Sequence, residues 1–352
     1  MTPEELKIRQ MTNQSLLKKA GKMTVVHRLC GVQAQFLSNA IHSLKIRCAD
    51  FEEKTVSDGL VKSWTIRGTV HVFAEEDLPL FLHFNNADVY RSSDWTIPTF
   101  WNQRADWALT PVRQTELSEL ILSALQERPH TREELKALCR ENGMTRAEEE
   151  SMFHPWGGGI RELCERGFMH CGVSEEKMYH LSPEFEPMTE DDARLELAQR
   201  YFTYLGPATI HDAMYFFRVT AGQVKQWLDR LPVHSTECQG KIYYYIENDV
   251  LYDGAIPRCL FLAGFDQLML GYEKKESIYL PKEYLRQVFS LAGIVMPVVL
   301  LDGQAAGRWK KKNRRLTVEL FCNVNTGGEN AIRETAEMLW GAEIQQIVIK
   351  KI

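Results

Sequence analysis

Two glutamines separated by one small residue, Gln33-Ala34-Gln35, have a spacing that suggests chemistry. In an extended segment residues i and i+2 project to the same side, whereas in a helix they diverge, so an extended backbone aims both amides at one point. A side-chain amide offers an acceptor oxygen and two donor hydrogens and takes up no proton near neutrality. Such a pair can orient a water or grip the edge of a base, but it cannot act as a general base. In isolation a Gln-x-Gln is ordinarily a polar turn beside a buried helix. Its weight here comes from the rest of the chain.

The run Arg308-Trp309-Lys310-Lys311-Lys312-Asn313-Arg314-Arg315 places six cations and an indole together. A solvated hairpin ordinarily mixes its charge signs, and the chain as a whole carries a net charge of −5, so this patch favours contact with a polyanion. Trp309 can either stack on a base or anchor the hairpin. Arg67-Gly68-Thr69-Val70-His71 reads as a strand with a glycine bend, in which His71 is by type a satisfied, partly buried histidine. Asp266 lies within the apolar stretch 264–272, and a buried carboxylate there requires a partner.

Other chemistries are disfavoured by spacing. The eight cysteines include no Cys-x-x-Cys pair, and the ten histidines no His-Glu-x-x-His, so neither a metal nor a cofactor is expected and the thiols should be reduced. Trp156-Gly157-Gly158-Gly159 lacks the Lys-Ser/Thr of a phosphate-binding loop and reads as the start of a helix. The longest apolar run, 288–301, is interrupted by Gly293 and Pro297 and is too short to span a bilayer. The N-terminal residues read as an exposed helix start, so a cytoplasmic protein without membrane contact is expected.

These groups need a scaffold, and 352 residues exceed one ordinary core. Residues 4–20 favour helix, Phe36, Ala40, Leu44 and Ala49 share a helical face, and a β-rich stretch from Leu60 to Phe73 turns at Gly68. A helix is expected near Glu75-Glu76-Asp77. The centre is plainer. Leu117, Leu120, Ile121, Ala124 and Leu125 stripe one helix, a capping box of Thr131 and Glu134 opens a second, and a third carries Ile160, Leu163 and Cys164 before Gly167. Strands at 168–173 and 177–181 follow, which is the winged-helix order. The order recurs with Leu195, Ala198, Phe202 and Leu205, a break at Gly206-Pro207, a helix from Thr209, a helix capped by Thr220 and Gln223, and a wing strand at 241–246. From residue 257 onward strands at 298–301, 306–311 and 316–321 are joined by turns at Asp302-Gly303 and Lys312-Asn313. The expected division is an N-terminal winged helix at 1–110, a second at 111–187, a third at 188–253 and a β-rich module with the basic hairpin at 254–352.

In this order, Gly31-Val32-Gln33-Ala34-Gln35, Ile66-Arg67-Gly68-Thr69-Val70-His71, Gly264-Phe265-Asp266 with Leu270-Gly271-Tyr272, and Val299-Leu300-Leu301-Asp302-Gly303 with Gly307-Arg308-Trp309 resemble the AlkZ/YcaQ family of winged-helix DNA glycosylases. The resemblance covers nearly the whole chain. It implies an α+β protein whose tandem winged-helix domains form a C-shaped DNA clamp with a β-rich C-terminal module, acting as a monofunctional DNA glycosylase on cationic alkylated purines in duplex DNA and, in some members, unhooking interstrand crosslinks. The family's Gln-aliphatic-Gln signature falls on Gln33 and Gln35 as the catalytic pair. Its Thr-aliphatic-His falls on Thr69 and His71, with Arg67 beside them as active-site support. The DNA-contacting hairpin falls on Arg308, Trp309, Lys310, Lys311, Lys312, Arg314 and Arg315. A monomer is expected, since several winged helices in one chain can encircle DNA without a partner. Winged helices serve most often in regulators, so a non-catalytic DNA-binding transcriptional regulator is the competing reading, and an RNA-binding module a third.

Overall fold

The structure, a computed structural model, describes residues 1–81, 92–174, 176–186, 188–251 and 254–352. It is a mixed α+β protein of two compact units, one formed by Met1–Glu53 together with Ala198–Ile352 and the other by Lys54–Leu197.

The first unit opens with the helix Pro3–Asn13, capped reciprocally by Thr2 and Glu5. The expected helix through residue 20 stops short, because Ser15 takes a left-handed backbone with φ of 61°. Its buried face includes polar residues beside Leu6 and Met11. Gln10 donates to the Pro207 carbonyl and accepts from the Tyr279 hydroxyl, and Asn13 donates to the carbonyls of Thr203 and Gly206. These amides satisfy the backbone where the break at Gly206-Pro207 interrupts regular structure. The helices Lys22–Arg28 and Leu37–Lys45 follow, with the short strand Val32–Gln33 between them. Later in the chain Ile210–Phe217 and Ala221–Arg230 are helices opened by the boxes Thr209/Asp212 and Thr220/Gln223, and His234–Cys238 pairs antiparallel with Lys241–Tyr245. The two helices and the strand near 241–246 stand where the sequence marked them, and His234–Cys238 is an added strand.

The C-terminal part is a sheet in the order Gln346–Lys351, Arg315–Leu320, Gln304–Lys312, Val298–Leu301, Cys259–Leu262. Asp302 and Gly303, both at positive φ, make the tight turn that the sequence marked. The other turn sits one residue later than expected, at Asn313 and Arg314, because Asn313 is the residue that takes the left-handed conformation. A helix, Thr326–Trp340, crosses between the two parallel strands and buries Ala331, Ile332, Ala336 and Trp340 against Val299, Leu316 and Val318. Its first turn contains Gly327 and Gly328, which weaken the helical signal, and the Gly328 amide donates to the Asn325 cap, which compensates.

In the second unit the helices Pro111–Glu127, Arg132–Glu141 and Gly158–Glu165 precede the hairpin Met169–Cys171 and Met178–Leu181, with the Thr131/Glu134 box in place. A further short helix, Arg146–Met152, has its own box of Thr145 and Glu148. Leu60–Trp64 pairs with Val70–Ala74 and joins the hairpin through Lys62 and Cys171. The helix foretold near Glu75 is a 3-10 turn running into Leu78–Phe81, beyond which residues 82–91 lie outside the described residues.

Candidate active site

The glutamine pair sits on a loop whose shape is set from both ends. Lys22–Arg28 ends in two successive left-handed residues, Cys30 with φ of 51° and Gly31 with φ of 79°, and the Gly31 amide reaches back to the Val26 carbonyl at 2.9 Å. That closure is a helix C-terminal motif that glycine favours, and it turns the chain into the extended segment Val32–Gln33. Gln33 therefore leaves an extended backbone, and Gln35 stands on the bend between it and the helix Leu37–Lys45. Gln33, only 5% exposed, donates through Nε2 to Oε1 of the exposed Gln35 at 3.2 Å. That bond fixes the relative orientation of the two amides as a donor–acceptor pair.

Gln267 stands behind this loop. Its amide donates to the carbonyls of Leu29 at 2.6 Å and Gly31 at 3.1 Å, and the residue is 1% exposed. It is in turn placed by Asp266, which caps the short helix Gln267–Leu270 through the Leu268 amide and forms a bidentate ion pair with Arg47 at 2.6 and 2.8 Å. Both members of that pair are fully buried. The partner that Asp266 needed is thus Arg47, itself bonded to the Gln14 carbonyl and to Ser43. Gly264 completes the support, since a Cβ there would lie 2.6 Å from Asn39 on the helix that follows the pair. The stretch 264–272 acts as a bracket for the loop. The sequence singles out only the acid, although Gln267 adjoins it.

Within the second unit, Thr65, Arg67, Thr69 and His71 form one cluster. The bend is made by Arg67 and Gly68, at φ of 63° and 66°. His71, fully buried, lies 3.1 Å through Nδ1 from the Thr69 carbonyl and 2.7 Å from the Thr65 hydroxyl, while Arg67 Nη2 is 3.3 Å from its Nε2. A guanidinium has no acceptor, so Nε2 must accept and the proton must be on Nδ1. Burial, reinforced by Arg67 and opposed by the Thr69 carbonyl, lowers the His71 pKa to about 3. It is a neutral imidazole that orients Arg67, and it supplies no proton near neutrality.

The basic hairpin divides in two. Arg308 pairs with Glu319 at 2.7 Å, Lys311 with Glu343, and Arg314 donates to the Ala342 carbonyl at 2.8 Å. Trp309 is the correction here. It is 9% exposed, donates through Nε1 to the Leu262 carbonyl at 2.8 Å, and packs on His42, Phe261 and Trp340, so it anchors the hairpin and offers no face to a base. Its position inward follows from strand alternation, which sends residue 309 to the helix side and 310 and 312 to the other. Lys310, Lys312 and Arg315 are exposed and, among the described residues, form no ion pair; with Thr317, Val348 and Lys350 they line one shallow depression.

A family model described as DNA glycosylase AlkZ-like matches residues 26–340, which span the glutamine pair, the Thr65–His71 cluster, the bracket and the hairpin. The chain belongs to the AlkZ-like DNA glycosylase family. It is 27% identical over 318 residues to the interstrand DNA cross-link repair glycosylase of Streptomyces sahachiroi, covering 84% of both sequences. The solved structure of the Streptomyces sahachiroi DNA glycosylase AlkZ superimposes with a TM-score of 0.78 over 100% of both chains at 22% identity, which shows a shared α+β fold. The reading as a non-catalytic regulator gives way to that of a glycosylase. Among the described residues no cluster of three metal-ligating side chains occurs, and no helix is long and apolar enough to cross a membrane.

Proposed function

We propose that this glycosylase hydrolyses the N-glycosidic bond of cationic, ring-alkylated purines in duplex DNA, with crosslinked purines within its range, and that Gln33 and Gln35 are its catalytic residues. The observation that carries this reading is the 3.2 Å bond between the two amides on a loop backed by Gln267. A purine alkylated on its imidazole ring is already a good leaving group and needs little acid assistance. What remains is to place a water against the anomeric carbon and to offset the oxocarbenium-like charge, both of which oriented amide dipoles can do. The fixed Gln33–Gln35 geometry supplies those dipoles without reorganisation. The motif contains no lysine to form a Schiff base, so hydrolysis without strand cleavage is the proposed outcome.

The name of the Streptomyces relative supports crosslinked substrates, and the exposed Gln35 suits a bulky lesion that could not enter a closed base pocket. Arg67, oriented by His71, which the Thr69 carbonyl holds in turn, is proposed to support the reaction, and Arg308, Lys310, Lys311, Lys312, Arg314 and Arg315 to give the hairpin its attraction for DNA. The eight cysteines are free, which fits work in a reducing cytoplasm, and the protein is proposed to act as a monomer because several winged helices in one chain can encircle DNA without a partner. The test is incubation of the protein with duplex DNA carrying N7-methylguanine, followed by alkali. Alkali-dependent breaks are expected, breaks without alkali would point to a lyase, and undiminished release by the double variant Gln33→Ala/Gln35→Ala would remove the catalytic assignment.

A further inference from the structure

Arg28 closes the helix Lys22–Arg28, immediately before the loop that carries the glutamine pair. Its guanidinium is half-buried, and among the described residues no carboxylate pairs with it. Nη1 donates to the Ser15 hydroxyl at 3.1 Å, the plane lies 5.6 Å from the Tyr204 ring centroid, and Nε is buried with no hydrogen-bond partner among the described residues. Burial lowers its pKa from the usual guanidinium value, and the interaction that opposes this is with Tyr204. Two fully buried arginines follow a different rule: Arg47 is matched by Asp266 and Arg166 by Glu162.

A guanidinium carries five N–H donors in a planar fork suited to phosphate oxygens. Here the fork is held in place by Ser15 and Tyr204 while most of its donors find no acceptor among the described residues. Keeping a partly desolvated charge without a counter-ion is costly, and the cost is recovered when an anion binds. The C-terminal dipole of the helix offsets part of the charge, but leaves the buried Nε–H unsatisfied. Lys18 and Lys19 are exposed on the loop that precedes this helix and, among the described residues, form no ion pair.

We infer that Arg28, seated on Ser15 and Tyr204, is a binding site for a backbone phosphodiester of the DNA strand under repair. The inference rests on the glycosylase reading above and adds a fixed phosphate contact to it. Five residues of chain separate the Cα atoms of Arg28 and Gln33 by at most about 18 Å, so the phosphate held by Arg28 belongs to the stretch of strand around the base attacked beside Gln33. The contact sets the register in which the damaged nucleotide meets the amides, because phosphate contacts position and do not read sequence.

The experiment is binding of a short methylguanine-containing duplex to the full chain by fluorescence anisotropy at about 50 to 200 mM salt. Arg28→Ala is expected to flatten the log–log salt slope by roughly 0.9 and to weaken binding about equally for all sequences. Arg28→Lys should retain the slope and bind less tightly, since it keeps the charge and loses the fork. A second measurement needs no variant: a neutral methylphosphonate moved along the strand must weaken wild-type binding at one position near the lesion, and Arg28→Ala must be indifferent to it there. An unchanged slope in a folded Arg28→Ala protein, or the lack of any such position, overturns the inference. If inorganic phosphate raises the melting temperature of the wild type but not of Arg28→Ala while the DNA slopes coincide, the site takes free phosphate and the DNA assignment is overturned. Excision by the wild type measured alongside separates the two readings: activity with an unaltered slope removes only the Arg28 contact, and an altered slope without activity removes only the glycosylase reading.

Discussion

The side-chain amide of Gln33 donates through Nε2 to Oε1 of Gln35 across 3.2 Å, joining a buried side chain to an exposed one. That bond makes the two amides one device. Removing either should cost most of what removing both costs, as happens when residues act as a unit. Each single alanine variant is expected to slow single-turnover excision of methylguanine by roughly 10²-fold or more, with DNA affinity unchanged. If the losses instead multiply in the double variant, the amides act on separate groups and not on one water.

Gln267 tests whether the loop must be held. Gln267→Leu leaves the Leu29 and Gly31 carbonyls without their donor in a buried setting, at about 1–3 kcal/mol. The maximal excision rate should fall more than the affinity for DNA, because the loop would still be present but less well aimed. Equal losses in both, read from rate against substrate concentration, would assign Gln267 to binding.

The Arg47–Asp266 pair beneath it is fully buried, so breaking it should be worse than deleting it. Arg47→Met strands a carboxylate and is expected to cost about 3–5 kcal/mol in urea unfolding, whereas the double variant Arg47→Met/Asp266→Leu should recover a large part of that. Additive losses would show that the two charges do not depend on each other.

Most elements of 111–181 and 209–245 were legible in the sequence because capping boxes, helical stripes and hairpins are local patterns, although the helix Arg146–Met152 and the strand His234–Cys238 were not marked. The glutamine pair was legible as a motif for the same reason, and Asp266 as an acid in need of a partner. What the sequence did not disclose is non-local. Nothing near Asp266 names Arg47, and nothing near Gln267 names the Leu29 and Gly31 carbonyls, since those contacts exist only once distant segments have packed. Trp309 shows a further limit: strand alternation decides whether an indole faces the core, but which face is the core depends on the helix Thr326–Trp340, whose two glycines conceal its start.

Buried imidazoles should make the protein sensitive to mild acid. Burial, then Arg67, holds the His71 pKa near about 3, and burial holds His42 and His170 at about 4, His170 further lowered by His180. In the unfolded chain each returns to the ordinary value of 6.5. Between these values the unfolded state binds more protons, so the stabilisation is fully present above 6.5 and is lost as pH falls toward 4. Melting temperature should decline across that window, and His71→Gln should decline less steeply. An identical acid limb in the variant would show that His71 is not held neutral. Excision itself should show no ionisation from His71 or from the two amides near neutrality.

The hairpin offers the sharpest separation of stability from binding. Lys312 and Arg315 are cross-strand partners, and like charges directly opposite one another are destabilising. Together with Lys310 they form three cations on one face that no carboxylate among the described residues neutralises. Replacing all three by Gln should raise the melting temperature slightly while flattening the salt slope of DNA binding by roughly 2.7, at about 0.9 for each phosphate no longer neutralised. Trp309→Ala should do the opposite, costing about 3–5 kcal/mol of stability through the cavity it leaves and changing the slope little. A flattened slope in a folded Trp309 variant would place the indole against DNA after all, and a steep slope in the triple variant would move the polyanion-binding surface elsewhere on the chain.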